Sequence, residues 1–252
     1  MVSFKIKEGQ IQKIVNIIKQ AAAFDDTITF TFNADAIDVK VMHQTKVMLM
    51  YARIDTRKIS EYRTDGESQI TIDTKRIISA LEQIGVSDLE IYTEKNDIVI
   101  KSHTMKYVAN QIEPVEEPKI PNLKQNVATF KTSSNWIKKR FSYMLTVNEL
   151  VDITYNRRNV VWKTRATPYE DTIQVMEYYE MTDGDDETDV TFSSVFPLEY
   201  LAEIVNAMPS TDESDYPVTV KLGTNYPLRL SYIDGNIEVD MMVAPRILGD
   251  SE

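Results

Sequence analysis

The sequence contains no cysteine, which removes disulfides, thiolate metal sites and cysteine nucleophiles together. Its two histidines, His43 and His103, lie in strand-like stretches without partners at metal-ligand spacing, so they read as isolated or satisfied side chains. Only seven glycines are present. None builds a G-x-x-x-x-G-K-[ST], G-x-G-x-x-G or G-x-S-x-G pattern, and H-E-x-x-H is missing as well. Phosphate-cradling loops, nucleophile elbows and zinc-protease helices are therefore not encoded in recognisable form. No apolar run approaches the ~18 residues that a membrane span requires, and the N-terminus has no signal-peptide core. The acidic pairs Glu116–Glu117 and Asp185–Asp186 sit in loop-like stretches with no companion general acid. The segment 182–189, TDGDDETD, lacks the residue order of a calcium loop and reads as a solvated turn. No catalytic residue, metal or cofactor is expected. The chain reads as a binding surface, and an enzyme with an unrecognised acid/base site is the competing class.

What is present is an ordinary globular composition, with 42% hydrophobic and 27% charged residues in a chain of 252. That length suits two domains of about 125 residues, each large enough for its own core. A repeat supports the division. Thr31–Lys40 reads TFNADAIDVK and Thr154–Lys163 reads TYNRRNVVWK, an offset of 123. Both spell strand, polar turn and strand, with Thr and an aromatic ahead of an Asn-led tip and alternation after it. At offset 124, Ile72, Ile77, Leu81 and Ile84 correspond to Phe196, Leu201, Val205 and Met208.

Each half reads as strand, helix, several strands, helix, several strands. In the first half, 2–7 alternates as a strand. A helix follows, burying Ile11, Ile14, Val15 and Ile18 and exposing Gln12, Lys13, Asn16, Lys19 and Gln20. Strands are expected at 27–32, 35–42, 46–54 and 67–72. A helix capped by Asp73 and closing near Gly85 comes next, then strands at 88–93, 97–102 and 104–112. Residues 113–126, EPVEEPKIPNLKQN, hold three prolines and read as the connection between domains 1–112 and 127–252. The second half opens with a strand at 128–131 and capping residues Ser133 and Ser134. Its first helix buries Ile137, Phe141, Met144 and Leu145. Strands follow at 150–155, 159–165, 172–180 and 188–195. A helix from Pro197 to about Met208 precedes strands at 217–222, 227–233 and 236–243. The fold class is α+β, two similar domains, each a largely antiparallel sheet with two helices on one face.

The net charge of −11 argues against a nucleic-acid partner, but it is unevenly distributed. Residues 8–24 carry Glu8, Lys13 and Lys19, and residues 73–85 balance Asp73 and Glu82 against Lys75 and Arg76. Residues 133–147 carry Lys138, Lys139 and Arg140, while 196–208 carry Glu199 and Glu203. The four helices total +2, leaving −13 on everything else. This polarity fits solubility, and it also fits a face that tolerates phosphates without gripping them.

With these halves in view, the chain resembles the sliding clamps of the proliferating-cell-nuclear-antigen (PCNA) family. Val243-Ala244-Pro245-Arg246-Ile247 resembles the family's L-A-P-[KR]-[IV] end, and Tyr226-Pro227-Leu228 its x-P-L strand. Phe196, Leu198, Tyr200 and Leu201 resemble the start of its last helix. Ser60-Glu61-Tyr62 resembles a segment of archaeal members, and Ile120-Pro121 the end of the connecting loop.

The resemblance implies a ring-forming subunit that encircles double-stranded DNA without reading its sequence. It implies a trimer of self or of paralogues, and a clamp-loader ATPase to open the ring. DNA polymerase, flap endonuclease and ligase would be tethered through short hydrophobic peptides. By family position the DNA-facing residues are Lys13, Lys19, Lys75, Arg76, Lys138 and Lys139. Asn206 stands where the family often has lysine. The partner-peptide pocket takes Met42, Lys46, Val47 and Leu49 from the first domain, and Pro118 and Ile120 from the connection. Pro227, Met242, Ala244, Pro245 and Ile247 complete it. Two methionines would make that pocket adaptable. Subunit contacts fall on Met105, Tyr107 and Ala109, and on Ile173, Val175 and Glu177, within strands that would pair edge to edge. The alternative within the family is a checkpoint-type or paralogous subunit that functions only in a heterotrimer. An intracellular location follows: an archaeal cytoplasm, a nucleus if eukaryotic, or a host site if viral.

Overall fold

The computed structural model describes residues 2–84, 88–95, 97–113, 118–119, 127–156, 159–165, 172–178, 191–208 and 215–247. The chain separates into two compact units. Unit 1 comprises Met1–Ile120, Ala207–Pro209 and Tyr232–Asp240; unit 2 comprises Pro121–Asn206, Ser210–Ser231 and Met241–Glu252. The boundary near residue 120 falls inside the proline-containing connection, of which only Glu113, Pro118 and Lys119 are described. The segment Tyr232–Asp240 groups with unit 1 although it lies late in the chain.

In chain order the first half is β1 (Val2–Ile6), α1 (Glu8–Ala22), β2 (Thr27–Phe32), β3 (Ala36–Met42), β4 (Met48–Asp55), β5 (Ser60–Thr64), β6 (Ser68–Asp73), α2 (Thr74–Ile84), β7 (Leu89–Glu94), β8 (Asp97–Lys101) and β9 (Lys106–Asn110). The second half is β10 (Ala128–Ser133), α3 (Ser134–Leu145), β11 (Leu150–Asn156), β12 (Asn159–Thr164), β13 (Gln174–Tyr178), β14 (Phe192–Pro197), α4 (Leu198–Ala207), β15 (Pro217–Leu222), β16 (Leu228–Asp234) and β17 (Ile237–Val243). The fold is α+β, and its sheets are largely antiparallel.

Unit 1 holds one sheet in the order β5-β1-β7-β8-β9 and a second run β6-β2-β3-β4. The first residues of β17 belong to unit 1 and follow β4 in that order, with the Asp55 amide donating to the Asn236 carbonyl at 2.9 Å. Unit 2 holds the runs β13-β12-β11-β14 and β10-β15-β16.

The sequence repeat is a repeat of register. Thr31 pairs with Asp38 and Phe32 with Ile37; 123 residues later Thr154 pairs with Val161 and Tyr155 with Val160. The same offset carries Val39–Ala52 onto Trp162–Val175, so β13 is the counterpart of β4. Each half also has a cross-strand hydroxyl pair, at positions that are not equivalent: Thr29 with Thr71 at 2.9 Å, and Thr154 with Ser193 at 3.0 Å. Such registers are fixed because a slip of one residue would turn every core side chain to the other face.

Helix faces follow the apolar spacing. Ile11, Val15 and Ile18 on α1 and Ile77, Leu81 and Ile84 on α2 are buried, as are Leu201 and Val205 on α4 and Met208 just after it. In unit 2 the fully buried Trp162 meets Phe141 edge-on at 5.4 Å and Phe130 at 6.3 Å. Emptying its site by Trp162→Ala is expected to cost about 3–5 kcal/mol.

Several expectations are corrected. Gln20 is wholly buried because the Tyr232 hydroxyl donates to its Oε1 at 2.7 Å. Leu145, at the last position of α3, is exposed rather than part of the core stripe. Pro197 ends β14 and precedes α4 instead of occupying its first turn. Strand β5 was not anticipated, since S-E-Y-R-T has no apolar alternation. His43 and His103 lie in turns, outside the strands beside them. Gly85, Ile120 and the 182–189 segment lie outside the described residues.

The start of α3 is held by one acid. Ser133 caps the helix, its Oγ accepting from the Trp136 amide at 3.1 Å, and it donates to the Asp215 carboxylate. Ser134 Oγ and the Asn135 amide donate to the other carboxylate oxygen, each at 3.1 Å. These bonds, the one from Ser133 foremost, hold the Asp215 carboxyl below its ordinary range. We expect Ser133→Ala to lower stability by about 1 kcal/mol in chemical denaturation. The depressed carboxyl stabilises the fold above the carboxylate pKa of the unfolded chain, and that contribution disappears as pH falls through the folded value. Asp215→Asn should therefore destabilise the protein at neutral pH and match the parent in strong acid.

Candidate functional site

Three of the four helices, α1, α2 and α3, carry the cations that the charge pattern singles out. On α1 the polar face is largely satisfied within the chain. Gln12 Nε2 donates to Asn16 Oδ1 at 3.0 Å, the Lys13 ammonium meets Asp234, and Lys19 lies 2.6 Å from Glu82 on α2. On α2, Lys75 is 2.8 Å from Asp26, and Arg76 Nε is 3.7 Å from Asp73. The Asp26 carboxylate raises the Lys75 ammonium above its ordinary pKa. Asp73 also caps the helix by accepting from the Arg76 amide at 2.9 Å. Lys13 reaches Asp234 beside Gly235, whose φ of +66° puts it in the left-handed region. A Cβ at that position would sit 2.7 Å from the ammonium.

On α3, Lys138 is half-buried and desolvation lowers its pKa, while Lys139 and Arg140 are exposed. The Arg140 guanidinium lies 5.7 Å from the ring centre of Trp136, one turn back on the same helix face. Lys139 has no carboxylate within ion-pair distance among the described residues. On α4, Glu199 and Asn206 are exposed and Glu203 is half-buried.

The candidate pocket residues divide between the units. In unit 1, Met42 pairs with Leu49 across β3 and β4. Met42 and Val47 are half-buried, Leu49 is buried, and Lys46 is exposed in a turn with φ of 60°. Pro118 is half-buried. In unit 2, Met242 is buried, Pro227, Ala244 and Pro245 are half-buried, and Ile247 is exposed to 78%. The Arg246 amide donates to the Val195 carbonyl at 2.8 Å, which ties the terminal segment to β14.

The candidate subunit-contact residues lie on or beside two end strands. β9 closes the β5-β1-β7-β8-β9 sheet and β13 closes β13-β12-β11-β14. Met105, Tyr107 and Ala109 are half-buried, as are Ile173 and Val175; Glu177 pairs with Val160 through the backbone. Sequence reasoning passed over Val108 and Met176, exposed apolar residues on the opposite faces of the same two strands. It also passed over Tyr143, 56% exposed near the end of α3. Nothing in the alternation marks these as exposed, because apolar residues at such positions also occur in sheets that are covered.

Among the described residues no group of three His, Asp or Glu side chains could hold a metal ion, and no helix is long and apolar enough to cross a membrane.

No protein-family model matches the sequence. The chain is nevertheless similar along nearly all its length to curated archaeal proteins. It is 24% identical to the DNA polymerase sliding clamp of Archaeoglobus fulgidus over 253 residues, covering 96% of this chain and 97% of the relative. It is 22% identical to that of Thermoplasma volcanium, covering 98% and 99%. Among solved structures, A. fulgidus PCNA bound to the C-terminal region of FEN-1 superposes with a TM-score of 0.82 at 20% identity, covering 99% of this chain and 100% of that one. PCNA from Thermococcus kodakaraensis gives 0.82 at 17% identity, covering 98% and 100%. The PCNA2–PCNA3 complex of Sulfolobus tokodaii gives 0.76 at 16%, covering 97% and 99%. The resemblance to PCNA-type sliding clamps thus extends over nearly the whole chain, in sequence to the archaeal clamps and in fold to the PCNA structures.

Proposed function

We propose that this chain is a DNA sliding clamp, a non-catalytic ring subunit that encircles duplex DNA and tethers replication and repair enzymes to it. The observation that carries the reading is the full-length likeness to archaeal sliding clamps on a fold whose two halves repeat in register. The repeat supports ring closure. In unit 1 the outer edge of β4 is followed by β17 residues. Its counterpart β13 has no outer neighbour among the described residues, and β9, which occupies the place in its half that β17 occupies in the other, has none either. A β9 from a second copy set against β13 would repeat the internal arrangement between chains. Such a heterologous contact gives a ring when its rotation closes and an open filament when it does not, and the resemblance implies closure with three copies. Met105, Tyr107 and Ala109 of one copy would meet Ile173, Val175 and Glu177 of the next, with Val108 and Met176 adding apolar area.

A protein linked to DNA by topology needs low friction rather than high affinity. Lys13, Lys19, Lys75, Arg76, Lys138 and Lys139 are the proposed DNA-facing set, and the net charge of −11 keeps the rest of the surface from holding the duplex. The partner pocket of Met42, Lys46, Val47, Leu49, Pro118, Ile120, Pro227, Met242, Ala244, Pro245 and Ile247 would take a short hydrophobic peptide. That A. fulgidus PCNA binds the C-terminal region of FEN-1 supports recognition of a terminal segment of a partner enzyme. With no nucleotide motif in the sequence, opening the ring falls to a separate loader ATPase.

The S. tokodaii complex of two different PCNA chains favours a second reading, a subunit of a mixed ring. Loading onto nicked circular DNA separates the possibilities. We expect the purified chain, given a loader, to be retained on circles and released on linearisation. Retention only after adding paralogous chains would establish the mixed ring, and no retention in either case would end the clamp reading.

Two substitution pairs test the proposed faces. Lys138→Glu with Lys139→Glu should make the salt dependence of duplex binding shallower by about 0.9 for each phosphate no longer neutralised, with assembly intact. Pro245→Ala with Ile247→Ala should weaken binding of a hydrophobic partner peptide at least tenfold, about 1.4 kcal/mol, without changing duplex binding. An exchange of the two phenotypes would overturn the assignment of faces.

A further inference from the structure

We propose that Asp26, Glu82 and Asp234 are built-in counter-ions of the α1–α2 face, occupying Lys75, Lys19 and Lys13 in place of nucleic-acid phosphates and thereby setting how loosely unit 1 meets the duplex. The inference rests on the clamp reading and deepens it by naming residues that regulate the DNA-facing surface.

Each of the three lysines has a carboxylate partner in unit 1, and none of those partners lies on the same helix as its lysine. Lys19 on α1 is bridged to Glu82 on α2 at 2.6 Å. Lys75 at the start of α2 is bridged to Asp26, in the turn after α1, at 2.8 Å. Lys13 is met by Asp234 from the β16–β17 turn, where Gly235 leaves the space the ammonium occupies. With Arg76 beside Asp73, the face has four cations matched by four carboxylates. The pairs between Lys19 and Glu82 and between Lys75 and Asp26 are exposed at both ends, with side-chain accessibilities of 44% and 54%, and 74% and 63%. Exposed pairs of this kind are individually weak. A phosphate can therefore displace the carboxylate, and the carboxylate can reclaim the lysine as the phosphate moves on. Asp234 is more enclosed, at 12%, so Lys13 is the least exchangeable of the three. The α3 helix presents Lys139 without such a partner among the described residues, so engagement of the duplex is graded: weak and exchangeable on α1–α2, firmer on α3.

The test is duplex binding by the assembled protein, read by fluorescence anisotropy over a salt series. Glu82→Gln and Asp26→Asn, alone and combined, remove the two exposed counter-ions. Asp234→Asn is the third variant, with its melting temperature checked against the parent because the side chain is largely enclosed. The control is Glu61→Gln. Glu61 also pairs with a lysine, Lys5, at 2.8 Å. On β1, however, Val2 and Phe4 face the same apolar core as Ile14 and Leu81, which turns Lys5 toward the opposite side of the sheet. It removes one negative charge without touching the helix face.

The combined variant should bind duplex several-fold more tightly at low salt. Its slope of log affinity against log salt should steepen by up to about 0.9 for each lysine released. Glu61→Gln should track the parent. An unchanged slope in the combined variant, or an equal change in Glu61→Gln, overturns the proposal, the latter by attributing the effect to net charge. The parent's retention on circular DNA is measured in parallel. Failure of that retention defeats the clamp reading itself, whereas retention with unaltered slopes defeats only the counter-ions.

Discussion

A strand at the end of a sheet carries backbone N–H and C=O groups along its open side, and the destination of those groups organises the account of this protein. In unit 1 the question is answered within the chain, because β4 is followed by residues of β17 and the Asp55 amide finds the Asn236 carbonyl. The second half copies that architecture in register at an offset of 123, yet among the described residues β13 ends its sheet and β9 ends another. Long open edges invite pairing with other chains, and proteins normally blunt or cover them. An edge whose twin is covered, in a fold built by duplication, reads as a junction awaiting a second copy.

The electrostatics fit a binder that holds by enclosure. A chain of net charge −11 cannot grip a polyanion broadly, and its helix cations are mostly partnered by carboxylates from neighbouring turns and helices. Adhesion and sliding oppose each other, since every phosphate held adds a barrier to translation along the duplex. Exposed ion pairs near thermal energy are a physical means of keeping those barriers low. Firm recognition is left to the apolar groups proposed for partner peptides, where Ile247 stands exposed and Met42 and Val47 half-exposed.

The fold was legible where local pattern and burial coincide. The TFNADAIDVK and TYNRRNVVWK segments predicted paired hairpins because strand alternation and an Asn-led turn are local properties, and both hairpins formed in the same register. Ile77, Leu81 and Ile84 marked a helix because their spacing selects one face. Strand β5 was invisible, since its polar residues are held by pairing with β1, a partner about sixty positions away in sequence. Gln20 was assigned to the polar face because nothing nearby announces that Tyr232, 212 positions downstream, will bury and bond it. The helix charge sum failed for a related reason. Asp26 and Asp234 lie outside the helices, so counting along each helix overstated the positive charge of a face that tertiary structure neutralises. The candidate pocket and subunit contacts came from family motifs rather than from spacing, because buried and docking apolar residues look alike in a sequence.

The most direct test of the central claim is amide hydrogen exchange in β9 and β13 of the purified chain, followed over a wide range of protein concentration. The outward-pointing amides of Lys106–Asn110 and Gln174–Tyr178 should exchange quickly in dilute solution. They should slow together as chains assemble, while amides already bonded to β8 and β12 change little. Fast exchange at both edges at every concentration would mean that these strands do not pair between copies of this chain, and self-closure would have to be abandoned.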